Sequence, residues 1–577
     1  MAFKLFKSFN SIEASIRVAL MKKNKHLLLW SSLITLAVLL WAAIDENFLR
    51  DWRIIQRRIQ QQLSSAQAVA FPIQLRQIVS REVGTTDRCV SCHAGMAPGE
   101  TGIEGNRLYG RHPDVVHDPA SYGCTVCHGG QGRATATADA HGNVANWPEP
   151  MLPKKYLYAG CGSCHTHLSV PNRTQLEKGR LQFEQADCLA CHKLDGRGGT
   201  LRPGGAGGQE GPDLSRVGAS GFKANWYDHH LEQQKKATSG PWLTAFGEIS
   251  DSERQAIDVF LSSRMGAPSL VEAKALFHTL GCRGCHKVRG VGGDDGPDLT
   301  AEGNKDPGLL NFSSVEGEPT LPNWLKQHFR APASVVHGSA MPEFGLTEQQ
   351  IDQLTFYMLS LRRRNFSEAL WPKDRIRAER FGMREFATDG ATLYGTFCAA
   401  CHGPAGEGMR YPGLAAFPAI GNPDFLRFVS DDFLRQQIKR GRPGRRMPAW
   451  GELEGGLRDE EISRLVVYLR DLGGVPFEGD NKPRRWVTGN SSDGRQLFAE
   501  ACASCHGERG EGKEGPALNN RVLLDLATDT YLFKTIQNGR AGTSMSAFGA
   551  GSSIRRTLTD AEIASVVAFI RTWEGKK

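Results

Sequence analysis

The amino-acid sequence repeats one five-residue pattern, Cys-x-x-Cys-His, seven times, and these copies use all 14 cysteines of the chain. In this pattern the two thiols can add to the vinyl groups of one haem, and the histidine that follows can bind the iron on one face. The cysteine pairs are Cys89 and Cys92, Cys124 and Cys127, Cys161 and Cys164, Cys188 and Cys191, Cys282 and Cys285, Cys398 and Cys401, and Cys502 and Cys505. The histidines are His93, His128, His165, His192, His286, His402 and His506.

A zinc site or a redox-active disulfide can also begin with Cys-x-x-Cys. Zinc would need four ligands at each site, so motifs paired into such sites would leave one of the seven over. No cysteine stands outside a motif, and each motif has its histidine. We therefore predict seven covalently bound haem c groups.

The charge of the chain is mildly basic, with 70 Lys and Arg against 62 Asp and Glu and a formal net charge of +8. Two propionates on each haem would more than cancel this charge, so the basic residues are expected to pair with propionates. The sequence contains no basic tract with interleaved aromatic residues, and we expect no nucleic-acid partner.

Residues 27–44, LLLWSSLITLAVLLWAAI, are apolar enough to enter a bilayer. As a helix they would span roughly 27 Å, close to a hydrocarbon core of about 30 Å. Three lysines shortly before them favour a cytoplasmic N-terminus, and Trp30 and Trp41 lie near the two ends as interfacial aromatics do. A cleaved signal peptide is the alternative, but no clean Ala-x-Ala site follows directly after Leu40. We predict a single-pass anchor in the bacterial inner membrane, with haem domains on the periplasmic side.

The segments on either side of the anchor have weaker patterns. Residues 1–26 carry an apolar stripe among lysines, which could lie on the cytoplasmic membrane surface, contact a partner subunit or remain a frayed tail. Residues 45–80 keep helical spacing of apolar residues to about Gln62 and are predicted to form a periplasmic helical stalk.

Residues 81–170 contain three motifs with little chain between them and no long amphipathic helix. The haems must then supply much of the core of a three-haem module. Methionines are too few here to complete three irons, whereas His112, His117 and His141 are available. We predict three bis-histidine haems, with a surface or propionate-binding role as the alternative for each histidine. The spacing does not say which histidine serves which haem.

The runs DRCVSCHAGM, RHPD, YGCTVCHGGQGRATATADAHG, WPEPML and CGSCH follow one another over roughly residues 45–170. In this order they resemble the N-terminal region of membrane-anchored multihaem cytochromes c associated with bacterial quinol-oxidising complexes that contain a cytochrome b. The resemblance implies that His112, His117 and His141 are the distal ligands. It also implies cytochrome b-type partner subunits.

From about residue 171 the chain repeats a unit of about one hundred residues: a helical lead-in, the motif, Pro-x-Leu, a loop and a closing amphipathic helix. The units resemble class I cytochrome c domains, which implies that the proline carbonyl accepts a hydrogen bond from the proximal imidazole. The predicted domains are 171–264, 265–365, 366–475 with a linker, and 476–577 with a linker, and the prolines are Pro212, Pro297, Pro412 and Pro516.

Three of these units place a methionine just before the closing helix, at Met341, Met447 and Met545. A core role is usual for one methionine, but the repeated position predicts His/Met coordination, which raises the reduction potential. The first unit has Leu243 there instead. Its haem could take His229 or His230, a histidine from a neighbouring module, or water on an open iron; His229 is the residue we choose.

The predicted fold is mainly α and multidomain: one transmembrane helix, an irregular three-haem module and four small all-α cytochrome c domains. We expect electron transfer from a quinol-oxidising membrane complex, through the N-terminal haems and then the His/Met haems, to a soluble or docked periplasmic acceptor. The alternative is a multihaem reductase or peroxidase that uses an open iron at the Cys188 and Cys191 haem. Whether the chain has substrate chemistry of its own is left open.

Overall fold

The computed structural model describes residues 2–575 except 114, 146, 169, 200–210, 224, 228 and 231–248, and for residues 2–19 and 220 it describes the backbone alone. The chain forms two compact units, Met1–Leu152 and Pro153–Lys577. It is mainly helical throughout the described ranges, which confirms the predicted mainly α fold class, and the second unit contains the region of the four predicted cytochrome c domains.

The first unit begins with helix α1 (Ala2–Ile44), which continues through a π-helical turn, Asp45–Leu49. Within Leu20–Gln62 an 18-residue window has a mean hydropathy of 2.3 and is fully exposed, which makes this the one described helix long and apolar enough to cross a membrane. The sequence suggested a boundary between an amphipathic segment, 1–26, and an anchor, 27–44. The structure shows no such boundary: α1 runs through both segments without a break. Neither glycine nor proline interrupts residues 2–44.

Helix α2 (Asp51–Gln62) buries Trp52, Gln56 and Ile59 on one face. The Gln56 side-chain amide donates to the carbonyl oxygens of Gln74 at 2.9 Å and Ser91 at 2.7 Å. Ser91 lies inside the first Cys-x-x-Cys-His motif, so the predicted stalk packs directly on the first haem site.

The rest of the first unit consists of short elements joined by loops. The Asp87 carboxylate, at the end of strand β2, accepts from the Cys124 amide at 2.5 Å and from the Thr125 hydroxyl at 2.8 Å, and so connects the first two motifs. The elements are α3 (Ser65–Ala70), β1 (Ile78–Ser80) paired antiparallel with β2 (Thr85–Asp87), two 3-10 turns (Cys89–Ser91 and Ala94–Met96), α4 (Pro119–Tyr122), α5 (Thr125–His128) and α6 (Thr137–Ala140).

The second unit starts with a 3-10 segment, Lys154–Ser163, that leads into the third motif. The Tyr156 hydroxyl in this segment donates to Asp352 of the second cytochrome c domain at 2.8 Å. The third motif therefore belongs to the second unit, and the predicted three-haem module of 81–170 is divided between the units. Sequence spacing missed this division because the partner of the segment lies almost two hundred residues further along the chain.

The four cytochrome c domains follow in order, each with its own opening and closing helix. The first contains α7 (Arg173–Gln185), β3 (Lys193–Leu194) paired with β4 (Arg197–Gly198), α8 (Val217–Ser220) and α9 (Asp251–Ser262); the second contains α10 (Pro268–Thr279), α11 (Leu321–Arg330), α12 (Pro332–Val335) and α13 (Glu348–Ser360). After α14 (Lys373–Phe381), the third contains α15 (Gly390–Phe397), α16 (Ala399–His402), α17 (Pro423–Leu426), α18 (Asp431–Arg440) and α19 (Asp459–Gly473). The fourth contains α20 (Ser491–Ala501), α21 (Ala503–His506), α22 (Arg521–Leu526), α23 (Asp529–Asn538) and α24 (Asp560–Arg571).

Opening and closing helices cross closely in these domains. In three of them a glycine lies at the crossing, Gly179, Gly390 or Gly494, where a side chain would collide with the backbone of the closing helix. The predicted capping boxes that start the closing helices of the first, second and fourth domains are confirmed at Ser250, Thr347 and Thr559. Each crossing holds the motif at the end of the opening helix and so fixes the place of the haem.

Candidate haem sites

The proximal histidines of the four cytochrome c domains share one hydrogen bond. In each, Nδ1 faces a proline carbonyl, which can only accept, so Nδ1 carries the proton and Nε2 is left unprotonated to bind a metal. The pairs are His192 with Pro212 at 2.8 Å, His286 with Pro297 at 2.9 Å, His402 with Pro418 at 2.8 Å and His506 with Pro516 at 2.9 Å. These residues therefore fit the iron of a haem bound to the adjacent cysteines.

In the third domain the bonded proline is Pro418, so the choice of Pro412 from the sequence is wrong. The proline lies 16 residues after His402, against 11 and 10 in the second and fourth domains. The longer loop carries Tyr411, whose hydroxyl donates to the Ala400 carbonyl at 2.7 Å. Pro412 lies inside this longer loop and is followed by Leu414, so it matches the Pro-x-Leu pattern without being the bonded proline.

Met447 and Met545 are held by the same turn. The Met447 carbonyl accepts from the Arg442 amide at 2.9 Å, and the Met545 carbonyl accepts from the Arg540 amide at 2.7 Å. Each turn starts at a glycine with positive φ, Gly441 at 58° and Gly539 at 67°. The two turns thus have matching backbone geometry, while the bonds of Met447 and Met545 to iron remain a prediction.

Met341 follows a different loop, in which its amide donates to Ser339 at 3.3 Å. The same domain also holds the half-buried His328, whose ring stacks on Trp324 at 4.9 Å between ring centres. Burial lowers the pKa of His328 to about 4, and the positive charges of Lys305 and His286 act in the same direction. The second domain thus offers His328 near its proximal histidine, in addition to the predicted ligand Met341.

We expect Met341→His to lower one haem midpoint by on the order of 100 mV, because imidazole in place of thioether favours the oxidised iron. Potentiometric titration of the full chain measures this shift. His328→Ala is the control and should leave every midpoint in place. A shift in His328→Ala with none in Met341→His would remove Met341 as the ligand.

In the first unit the structure brings two predicted distal histidines to proximal ones. The rings of His112 and His128 lie 6.2 Å apart at 88°. Two imidazoles on opposite faces of one metal, each bound at about 2 Å, would have ring centres roughly 6 Å apart. His93 has His141 as a neighbour: its pKa is lowered, first by burial and then by the charge of His141. This arrangement favours His112 for the second haem and His141 for the first.

The third predicted distal histidine, His117, is exposed in the first unit, with its ring 5.1 Å from that of Tyr122. The remaining motif of the predicted module, with His165, lies in the second unit. The role of His117 as a ligand therefore stays a prediction.

The first cytochrome c domain places His230, not its neighbour, beside the proximal histidine. The rings of His230 and His192 lie 5.7 Å apart at 40°. Burial lowers the pKa of His230, and the charge of His192 lowers it further. His229 is exposed, while Leu243, which stands at the methionine position, lies outside the described residues.

Neighbouring motifs touch in both units. The thiols of Cys89 and Cys124 are within hydrogen-bond reach in the first unit, as are those of Cys285 and Cys401 in the second. Around the second contact, the 281–285 loop packs on the 397–401 loop, which we call the motif junction. A Cβ atom at Gly281 would lie 2.7 Å from the Ala400 amide nitrogen. Arg446 spans the same two domains through its bond to Asp295 at 2.7 Å.

A buried ion cluster lies beside the motif junction. Glu385 accepts from Lys274 at 2.8 Å, from Arg289 at 2.5 Å and from Arg283. Although burial alone would raise the pKa of Glu385, these three cations hold it well below its ordinary value. Lys274 also donates to the Leu168 carbonyl at 2.8 Å. The cluster links the segment after the third motif to the second and third domains. No local pattern in the sequence predicted it.

Two family profiles match the second unit. The profile described as "Cytochrome c" matches residues 176–264 and 270–362. The profile described as "Cytochrome C oxidase, cbb3-type, subunit III" matches residues 385–469 and 489–570. The first and second domains thus match one profile and the third and fourth match the other, which agrees with the shared methionine turn of the latter pair.

Curated relatives agree with these matches. The chain is similar to the cbb3-type cytochrome c oxidase subunit FixP of Bradyrhizobium diazoefficiens, with 31% identity over 163 residues, which is 26% of this chain and 51% of that protein. It is also similar to the subunit CcoP of Rhodobacter capsulatus, with 30% identity over 202 residues, 32% of this chain and 62% of that protein. The chain therefore spans between about half and three fifths of the length of these relatives.

Among solved structures, a chain of the reducing HAO-like protein complex of Kuenenia stuttgartiensis matches 32% of this chain and 95% of its own length. The TM-score is 0.22 and the sequence identity is 16%.

Proposed function

We propose that this chain, a multihaem c-type cytochrome with tandem cytochrome c domains, related to the cbb3-type oxidase subunits CcoP and FixP, carries electrons through seven haems from a quinol-oxidising membrane complex to a periplasmic acceptor. Its apolar helix α1 would hold the first haem sites at the membrane surface. The electrons would leave from the C-terminal domains.

The observation that carries this proposal is the contact between motifs of adjacent domains. Thioether bonds would hold one edge of each haem at its cysteines, and Cys285 meets Cys401 at the motif junction. Haems on these two loops would therefore approach each other through those edges. Transfer of electrons between haems requires such proximity, whereas binding of a substrate at one haem does not.

The ligands support a direction of transfer. Bis-histidine haems have lower potentials than His/Met haems because the thioether favours the reduced iron. The predicted bis-histidine haems lie toward the N-terminus, and the shared methionine turn belongs to the third and fourth domains. Electrons would thus run from the membrane side toward the C-terminal domains.

A stepwise potentiometric titration of the full chain tests this direction. We expect the haems of the first unit to be reduced at the lowest potentials and those of the Met447 and Met545 domains at the highest. Variants in which Met447 or Met545 is replaced by histidine assign the high-potential steps, since each should move one step downward. A first unit with the highest midpoints would contradict the proposed direction.

The partner would be a membrane respiratory complex. The relatives are named as subunits of cbb3-type cytochrome c oxidases, while the motif order of residues 45–170 resembles cytochromes of quinol-oxidising complexes. Extraction in mild detergent, identification of co-purifying subunits and an assay of quinol-dependent reduction of a soluble cytochrome c test the assignment. A chain that purifies alone and is inactive with quinol would contradict it.

A further inference from the structure

We propose that His230 is the sixth ligand of the haem bound by Cys188, Cys191 and His192. The haem of the first cytochrome c domain would then be bis-histidine and six-coordinate. This assignment takes the place of the predicted ligand His229. It also fills the coordination position of the iron that a substrate would need.

The ring geometry supports the assignment. His230 lies 5.7 Å from His192 between ring centres, close to the roughly 6 Å expected when two imidazoles bind one metal from opposite faces. The His112 and His128 pair of the first unit has a similar separation, 6.2 Å. On the proximal side, the Pro212 carbonyl occupies Nδ1 of His192 at 2.8 Å, which leaves Nε2 for the iron.

The position of His230 is fixed by the fold of its domain. Trp226 stands one helical turn earlier, and its indole N–H donates to Asp258 of helix α9 at 2.6 Å. The rings of Trp226 and His230 are 6.2 Å apart. The closing helix therefore anchors the turn that carries His230. The second domain has the same spacing of a tryptophan four residues before a histidine, Trp324 and His328, whose rings stack.

The neighbouring residue lies on another face of the same turn. The amide of His229 donates to the Asn225 carbonyl at 3.3 Å, the four-residue bond of an α-helix. Successive residues of such a helix point about 100° apart, so the turn that aims His230 at His192 directs His229 elsewhere. His229 is exposed, and His230 is half-buried.

The consequence for transfer, which rests on the proposed function, is that low-potential haems extend into the first cytochrome c domain. The step to a His/Met haem then falls at the second domain or later. The ligand assignment itself does not depend on that function, because it concerns one iron and its spectrum.

The test uses the full chain with its haems attached and compares His230→Ala with His229→Ala. We expect His230→Ala to produce one haem that binds carbon monoxide when reduced and gives a high-spin signal in electron paramagnetic resonance when oxidised. His229→Ala should match the wild type in both measurements. Wild-type protein that already binds carbon monoxide at this haem, or a change in His229→Ala alone, would overturn the assignment.

A second variant, His230→Met, keeps a ligand and guards against loss of the fold. We expect it to remain six-coordinate and to raise one midpoint, since thioether replaces imidazole. If every midpoint stays unchanged in His230→Met, His230 is not a ligand. Neither measurement needs a quinol or an electron acceptor, so failure of the proposed function would leave both interpretable.

Discussion

Replacing Glu385 by alanine is expected to destabilise the second unit by about 3–5 kcal/mol, because the change leaves buried cations without the carboxylate that they share. Arg283 is fully buried, and Lys274 is 4% exposed in its side chain. The cost of an unpaired buried charge exceeds what the pair contributes when intact. Chemical denaturation of the full chain, followed by circular dichroism, measures the loss.

Glu348→Ala provides the matched control. Glu348 also pairs with an arginine, Arg330, but its side chain is 70% exposed. An exposed pair of this kind contributes about 0–1 kcal/mol. Equal losses in the two variants would show that the cluster around Glu385 does not stabilise the assembly of domains.

The same carboxylate predicts a dependence on pH. Because the pKa of Glu385 is held well below its ordinary value in the folded chain, its stabilisation is complete above the unfolded pKa of about 4.3 and is lost as the pH falls toward the folded pKa. Glu385→Gln should remove this part of the acid sensitivity. An identical acid profile in wild type and Glu385→Gln would contradict the interpretation.

Replacing Gly281 by alanine should slow electron transfer between the haems of the second and third domains. A Cβ atom there would lie 2.7 Å from the Ala400 amide nitrogen and 2.9 Å from its Cβ atom. These atoms belong to the facing motif loop, so the loops must move apart. Pulse radiolysis of the full chain, with detection at the haem absorption bands, measures the intramolecular rate.

Gly290→Ala separates the effect of contact from that of backbone strain. Gly281 and Gly290 have similar positive φ values, 70° and 76°, but nothing lies within 4 Å of a Cβ atom at Gly290. Both variants bear a left-handed backbone cost of roughly 1–2 kcal/mol, and overpacking adds about 1–3 kcal/mol in Gly281→Ala alone. An unchanged transfer rate in Gly281→Ala, despite its larger loss of stability, would exclude the motif junction as the route.

Local pattern was enough to predict much of the molecule. The capping boxes at Ser250, Thr347 and Thr559 depend on residues three apart, and the closing helices follow directly from them. The helical fold class and the cytochrome c domains follow for the same reason, since each motif and its helices lie within about one hundred residues. Such spacing does not predict which residues of other domains these elements contact.

The failures each involve distance along the chain or a choice between similar residues. Pro412 was chosen in place of Pro418 because the loop after His402 is longer than in the second and fourth domains and contains both prolines. The choice of ligand between the adjacent His229 and His230 stays a prediction, because residue spacing does not give the direction in which each side chain leaves the helical turn. The cluster of Glu385 joins residues about one hundred positions apart, so no window of sequence contains it.

The order of Glu385 and its partners along the chain has a consequence for assembly. Lys274, Arg283 and Arg289 precede Glu385 by 111, 102 and 96 residues. Because the chain is synthesised from its N-terminus, these three cations are made before the carboxylate with which they pair. The cations on either side of Cys285, Arg283 and Arg289, therefore lack Glu385 as a partner until the third domain begins to appear.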